Sequence, residues 1–150
     1  MTRFLFLVPA LTGCSLLGSL AENSAFSRPT VEVTGVQVLS AGLSGAELGI
    51  YFQANNPNPI GLTMSGLEYE VFLNDQSIGS GKNQRPISLP KRGASSFSVT
   101  YEFSTQELLQ AGIAALGERD HEVRIDAVIQ IDTPLTVLEF NVGHTEELSF

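Results

Sequence analysis

The chain is poor in the parts from which most enzymes and nucleic-acid binders are built: one cysteine, two histidines and no tryptophan in 150 residues. A lone cysteine, Cys14, excludes an internal disulfide and a cysteine-based zinc site, because each needs several sulfurs brought together. Positive charge is also scarce. Eight Lys plus Arg stand against sixteen Asp plus Glu, a net charge of −8 at pH 7. Nucleic-acid binding rests on Lys and Arg that neutralise phosphates and release counterions, so no nucleic-acid partner is expected. Charged residues make up 16% and hydrophobic residues 43%. That balance excludes a disordered chain and supports a packed core in one domain.

What is present at the start is a leader. Arg3 is the one charge before Glu22, and Phe4 to Leu11 is a short apolar run followed by small residues, the layout of a secretory signal peptide. The run is too short to span a bilayer, which takes roughly 20 apolar residues. An uncleaved anchor over Phe4 to Leu20 competes with this reading, but Thr12, Gly13, Ser15, Gly18 and Ser19 dilute it. An incidental thiol in a conventional signal is the other alternative.

Leu11-Thr12-Gly13-Cys14 resembles the lipobox of bacterial lipoproteins, and the single cysteine of the chain falls on the position that needs a thiol. The resemblance implies cleavage before Cys14, a diacylglyceryl group on its sulfur and acylation of the new amino terminus. Several acyl chains hold a protein at a bilayer far more firmly than one, so this anchor needs no basic patch. Ser15 follows Cys14 where retained lipoproteins carry Asp, which implies the outer membrane, facing the periplasm. The expected layout is a signal peptide over 1–13, a lipidated Cys14 with its tether over 14–28, and a folded domain over 29–150. The tether, Ser15 to Arg28, is small and polar without a sustained period.

Beyond Pro29 the dominant period is two, the signature of half-buried strands. Val31, Val33, Val36 and Val38 alternate with a phase slip at Thr34-Gly35, where a bulge absorbs one residue. Leu48, Ile50, Phe52 and Ala54 share one side of a second strand, and Leu67, Tyr69, Val71 and Leu73 one side of a third. Asn74-Asp75-Gln76 is turn chemistry leading to a return strand over Ser77 to Gly81. Pro86 to Pro90 is an edge or a connector, since proline cannot donate to a ladder. Phe97, Val99, Tyr101 and Phe103 form one face of the next strand. Ser104 to Glu107 fits a capping box for one short helix with Leu109, Ile113 and Leu116 inward and Gly117 as its stop. Strands resume through Val123 to Ile131 and Val137 to Val142. The fold class is therefore all-β: an immunoglobulin/fibronectin III-like antiparallel sandwich of about seven strands with one short helix, a barrel being the alternative.

Catalytic constellations fail on inspection. Gly79-Ser80-Gly81-Lys82 lacks the leading glycine and the trailing hydroxyl of a phosphate loop. Asp120-His121-Glu122 reads as a solvated helix-to-strand turn, because strand neighbours point to opposite faces and cannot all ligate one metal. His144 with Glu146 and Glu147 reads as an exposed terminal segment, and Glu68 with Glu70 as the wet side of a strand. No metal and no cofactor is expected.

The segment Asn55-Asn56-Pro57-Asn58-Pro59-Ile60 is stiff by composition: a residue before proline is held extended, and Asn side chains bond nearby backbone. From here the domain resembles the type 2 late embryogenesis abundant family, whose unit is also called the WHy domain. The quoted motifs are Asn56-Pro57-Asn58, Ile60-Gly61-Leu62, Leu67-Glu68-Tyr69 and Ile78-Gly79-Ser80-Gly81, in family order. The resemblance implies a sandwich fold and a protective role under dehydration or other stress, without catalysis. A binding module of the envelope, engaging a protein partner or an amphiphile, is the alternative function.

Overall fold

The computed structural model describes residues 26–110 and 121–149. The expected signal peptide, the expected lipobox Leu11-Thr12-Gly13, Cys14 and the expected tether up to Ala25 lie outside the described residues, as do Ile113, Leu116 and Gly117, which the sequence reading placed in the helix. Eight strands and one helix follow in order: β1 Thr30–Gly42, β2 Gly45–Asn56, β3 Leu62–Leu73, β4 Gln76–Asn83, β5 Ile87–Leu89, β6 Gly93–Ser104, α1 Thr105–Gln110, β7 His121–Asp132 and β8 Val137–Leu148. All pairings are antiparallel. One sheet runs β1-β2-β6; the other runs β4-β3-β7-β8, with β5 continuing the β4 edge beside β3.

This is the expected sandwich, and the alternation explains it. Leu48, Ile50, Phe52 and Ala54 of β2 face Leu67, Val71 and Leu73 of β3 and Val123, Ile125, Ile129 and Ile131 of β7 across one continuous core. Burial of apolar side chains at roughly 1.5–3 kcal/mol each is what holds the two sheets face to face. The expected slip in β1 is a register shift between Val33 and Gly35, and a second lies between Val38 and Ser40.

Of the two readings of Pro86 to Pro90 the edge holds: the segment is a strand, β5, at the sheet margin, where its flanking prolines need not donate. Several details differ from the sequence reading. In α1 the buried residue is Leu108, 1% exposed, while Leu109 is 60% exposed. The capping box fixes where the helix starts, but the direction in which β6 delivers the chain decides which face meets the core. His121 belongs to β7 and is 1% exposed, so Asp120-His121-Glu122 is not a solvated turn at that residue. Strand β8 continues to Leu148, so His144, Glu146 and Glu147 form part of the sheet rather than a loose terminus.

The open sides of the sandwich are joined by side chains. On one side Glu146 of β8 accepts a hydrogen bond from the Val36 amide of β1 at 2.8 Å, and His144 Nε2 lies 3.3 Å from the same carboxylate oxygen. On the other, Tyr101 of β6 donates to the Ile78 carbonyl of β4 at 2.8 Å, and Ser95 to the Ser88 carbonyl of β5 at 2.9 Å.

Candidate functional site

The family-like motif residues form two clusters. The first is built on Asn56, the last residue of β2, and Asn58, both buried. Pro57 and Pro59 hold the residues before them extended, which aims both amide side chains inward. Asn56 Nδ2 donates to the Ile60 carbonyl at 2.8 Å and the Pro90 carbonyl at 3.2 Å. Its Oδ1 accepts from the Asn58 amide and from Asn58 Nδ2, each at 3.0 Å. Asn58 then clasps Ser27, accepting from its amide at 2.8 Å and donating to its carbonyl at 2.7 Å. The Asn58 carbonyl accepts from the Arg92 amide at 2.9 Å. Two buried carboxamides thus tie together the incoming chain, the β2–β3 loop and the β5–β6 turn. A buried amide makes such bonds because leaving it unpaired costs about 1–3 kcal/mol. Every polar atom of the pair is committed to the backbone or to its neighbour, so the cluster has nothing left for a reacting group.

The second cluster lies across β3, β4 and β6. Tyr69 pairs opposite Gly81 in the β3–β4 ladder, and its ring fills the space a side chain at Gly81 would need: an added Cβ would lie 2.3 Å from Tyr69 Oη. Gly79 has φ of +143°, and a Cβ there would lie 2.1 Å from Tyr101 Oη. The register shift between Val71 and Phe72 turns Ile78 into the core, exposing its carbonyl to the Tyr101 hydroxyl. The two tyrosine rings meet edge to face with centroids 6.2 Å apart, a favoured aromatic geometry. Burial pushes both phenols above their ordinary pKa, and for Tyr101 the charges of Glu107 and ionised Tyr69 add to the effect. Leu67 is a buried core residue of β3.

The rejected constellations can now be placed. Gly79-Ser80-Gly81-Lys82 lies within β4, not in a strand-to-helix loop. Glu68 and Glu70 stand on the outer face of the larger sheet, beside Lys82, Asp126 and Asn141, where an open trough of about 750 Å³ crosses β3, β4, β7 and β8. Ser77 donates to Glu70 at 2.6 Å. No group of three or more His, Cys, Asp or Glu is placed to hold a metal among the described residues. His121 Nδ1 lies 3.2 Å from Asn74 Nδ2, and the Asn74 Oδ1 accepts from the Glu122 amide at 3.0 Å, so this histidine sits at the corner where the β3–β4 turn meets β7. Sequence reasoning missed its burial, although His121, Val123 and Ile125 are in phase.

Comparison with known proteins agrees with this geometry. A solved structure from Archaeoglobus fulgidus superposes with a TM-score of 0.61 at 15% identity, covering 81% of this chain and 98% of that one. A solution structure from Arabidopsis thaliana superposes with a TM-score of 0.66 at 17% identity, covering 84% of each chain. These likenesses show the fold. An uncharacterized protein of Methanocaldococcus jannaschii is 20% identical over 122 residues, 80% of this chain and 68% of its own length. The family model described as late embryogenesis abundant protein matches residues 51–145, the span that holds both motif clusters. With its two asparagines and its tyrosine-packed glycines absorbed into the frame of such a sandwich, the chain belongs to the type 2 late embryogenesis abundant family.

Proposed function

We propose that this chain is a protective or structural domain of the bacterial envelope, acting without catalysis under dehydration or related stress and anchored to a bilayer through lipid on Cys14. Family membership carries the stress role. The site geometry supports the non-catalytic reading, since the motif polar atoms are spent on holding backbone. The lipobox Leu11-Thr12-Gly13-Cys14 supports the anchor, and Ser15 supports an outer-membrane address facing the periplasm. The WHy-type motif order supports placement within that branch of the family. Two measurements test the reading. Purified protein is expected to preserve the activity of a labile enzyme through drying or freezing, and deletion to reduce survival of drying. Failure of both would remove the stress role. Intact mass of the mature protein is expected to show loss of residues 1–13 and a gain matching attached lipid.

A further inference from the structure

The two ends of the sandwich differ in chemistry. At the end where the described chain begins, Phe26, Pro59, Ile60, Pro134 and Leu135 line a small apolar hollow of about 210 Å³. Leu135 is 90% exposed and Val137 beside it 55%. The same end carries three exposed cations: Lys91 and Arg92, in the turn whose Arg92 amide bonds the Asn58 carbonyl, and Arg28, two residues before β1, whose guanidinium lies 4.5 Å over the Phe140 ring and donates to the Glu139 carbonyl at 2.8 Å. The acids nearest this tip, Glu32, Asp132 and Glu139, are exposed residues of β1, β7 and β8 directed to the outer faces of the two sheets. The opposite end is acidic: Asp75 in the β3–β4 turn, Glu107 on α1, Glu122 and Glu147 at the ends of their strands, and Glu47 paired across from Glu102. Strands of twelve residues separate the ends by about 40 Å. The net charge of the chain hides this polarity.

We propose that the apolar, cationic end docks on the surface of an anionic phospholipid bilayer, with Leu135, Ile60 and Phe26 reaching into the headgroup boundary and Lys91 and Arg92 facing the lipid phosphates. This rests on the anchored reading above. Cys14 precedes Phe26 by twelve residues, which span at most about 40 Å, so a lipidated Cys14 keeps this end of the domain within reach of the bilayer. Tethering at such a length gives an effective concentration in the millimolar range, at which weak docking is populated. Each Lys or Arg near an anionic surface strengthens binding about fivefold, and the apolar tip adds to it. Leu43 and Leu109 at the far end are exposed as well, but they stand among Glu47, Glu102 and Glu107, a field that anionic headgroups repel.

The test uses the full chain in vesicles of phosphatidylcholine with about one third phosphatidylglycerol, an anionic surface. An environment-sensitive fluorophore is placed at Leu135→Cys or, at the opposite end, Leu43→Cys, after intact mass has established whether Cys14 carries lipid. The expected result is an apolar shift in emission at 135 and an aqueous spectrum at 43. The shift should weaken in phosphatidylcholine alone, in high salt and in the Lys91→Glu/Arg92→Glu variant. With lipid present on Cys14, an aqueous spectrum at 135 overturns docking and leaves the anchor standing. Without lipid, a shift at 135 in a Cys14→Ser chain mixed with the same vesicles sustains docking while the anchor falls, and an unchanged spectrum overturns both. A shift that follows protein density and ignores lipid charge assigns the face to a second copy of the chain and overturns bilayer docking.

Discussion

At the scale of single residues, the motif positions are exacting because each is closed in by a neighbour. Gly81→Ala would drive a methyl group into the Tyr69 ring, with Cζ at 2.4 Å, and neither strand can yield without breaking the ladder. A loss of about 1–3 kcal/mol is expected, read as a lower urea midpoint with an unchanged slope. Asn56→Ala removes the donor to the Ile60, Leu89 and Pro90 carbonyls and the acceptor of two amide N–H groups at a buried position; about 2–4 kcal/mol is expected, against less than about 0.5 for exposed Asn55→Ala. The tyrosines set an alkaline limit. Their folded pKa values are raised above the ordinary 10.0, so the stability they contribute is complete below that value and is lost as pH rises past it. Denaturation followed from pH 8 to 12 should show the decline, and Tyr101→Phe should make it shallower.

At the scale of elements, the sequence was most legible where period two ran unbroken. The inward sets of β2, β3 and β7 are those that alternation marks, because a strand has two faces and one apolar set chooses between them. It was less legible at β8, where His144 and Glu146 occupy inward positions: that side of the sandwich is open enough for a carboxylate to serve as a staple to β1, so polarity there does not mark the end of a strand. The helix shows the same limit. Its start was readable, since Ser104 and Glu107 exchange hydrogen bonds as a capping box does. Its buried face was not, because the sequence carries two adjacent leucines, Leu108 and Leu109, and the spacing to Ile113 and Leu116 selected the one that the structure exposes. Leu108→Ala is expected to cost about 2–5 kcal/mol and Leu109→Ala under about 0.5, separable by thermal denaturation. The Ser104 backbone amide, and after it the Ser104 hydroxyl, also hold the Glu107 carboxyl below its usual range. A depressed acid stabilises above its unfolded pKa and loses that contribution as pH falls. Ser104→Ala removes the hydroxyl and keeps the amide, so it should raise the Glu107 pKa measured by NMR only part of the way to its ordinary value and flatten the acid limb of stability slightly.

For the whole molecule, the pairing pattern bears on how the chain is put together. β1–β2, β3–β4 and β7–β8 are hairpins of near neighbours, whereas β2 must wait for β6 and β3 for β7, across long stretches of intervening sequence. Architectures dominated by such remote contacts mature in milliseconds to seconds, because loop closure must come before the reward. A polypeptide threaded outward amino end first would expose β2 and β3 with one flank of each bare until the later strands arrive. If the chain is exported as proposed, the same slowness that leaves it open to a chaperone would keep it loose enough to pass through a narrow translocation channel.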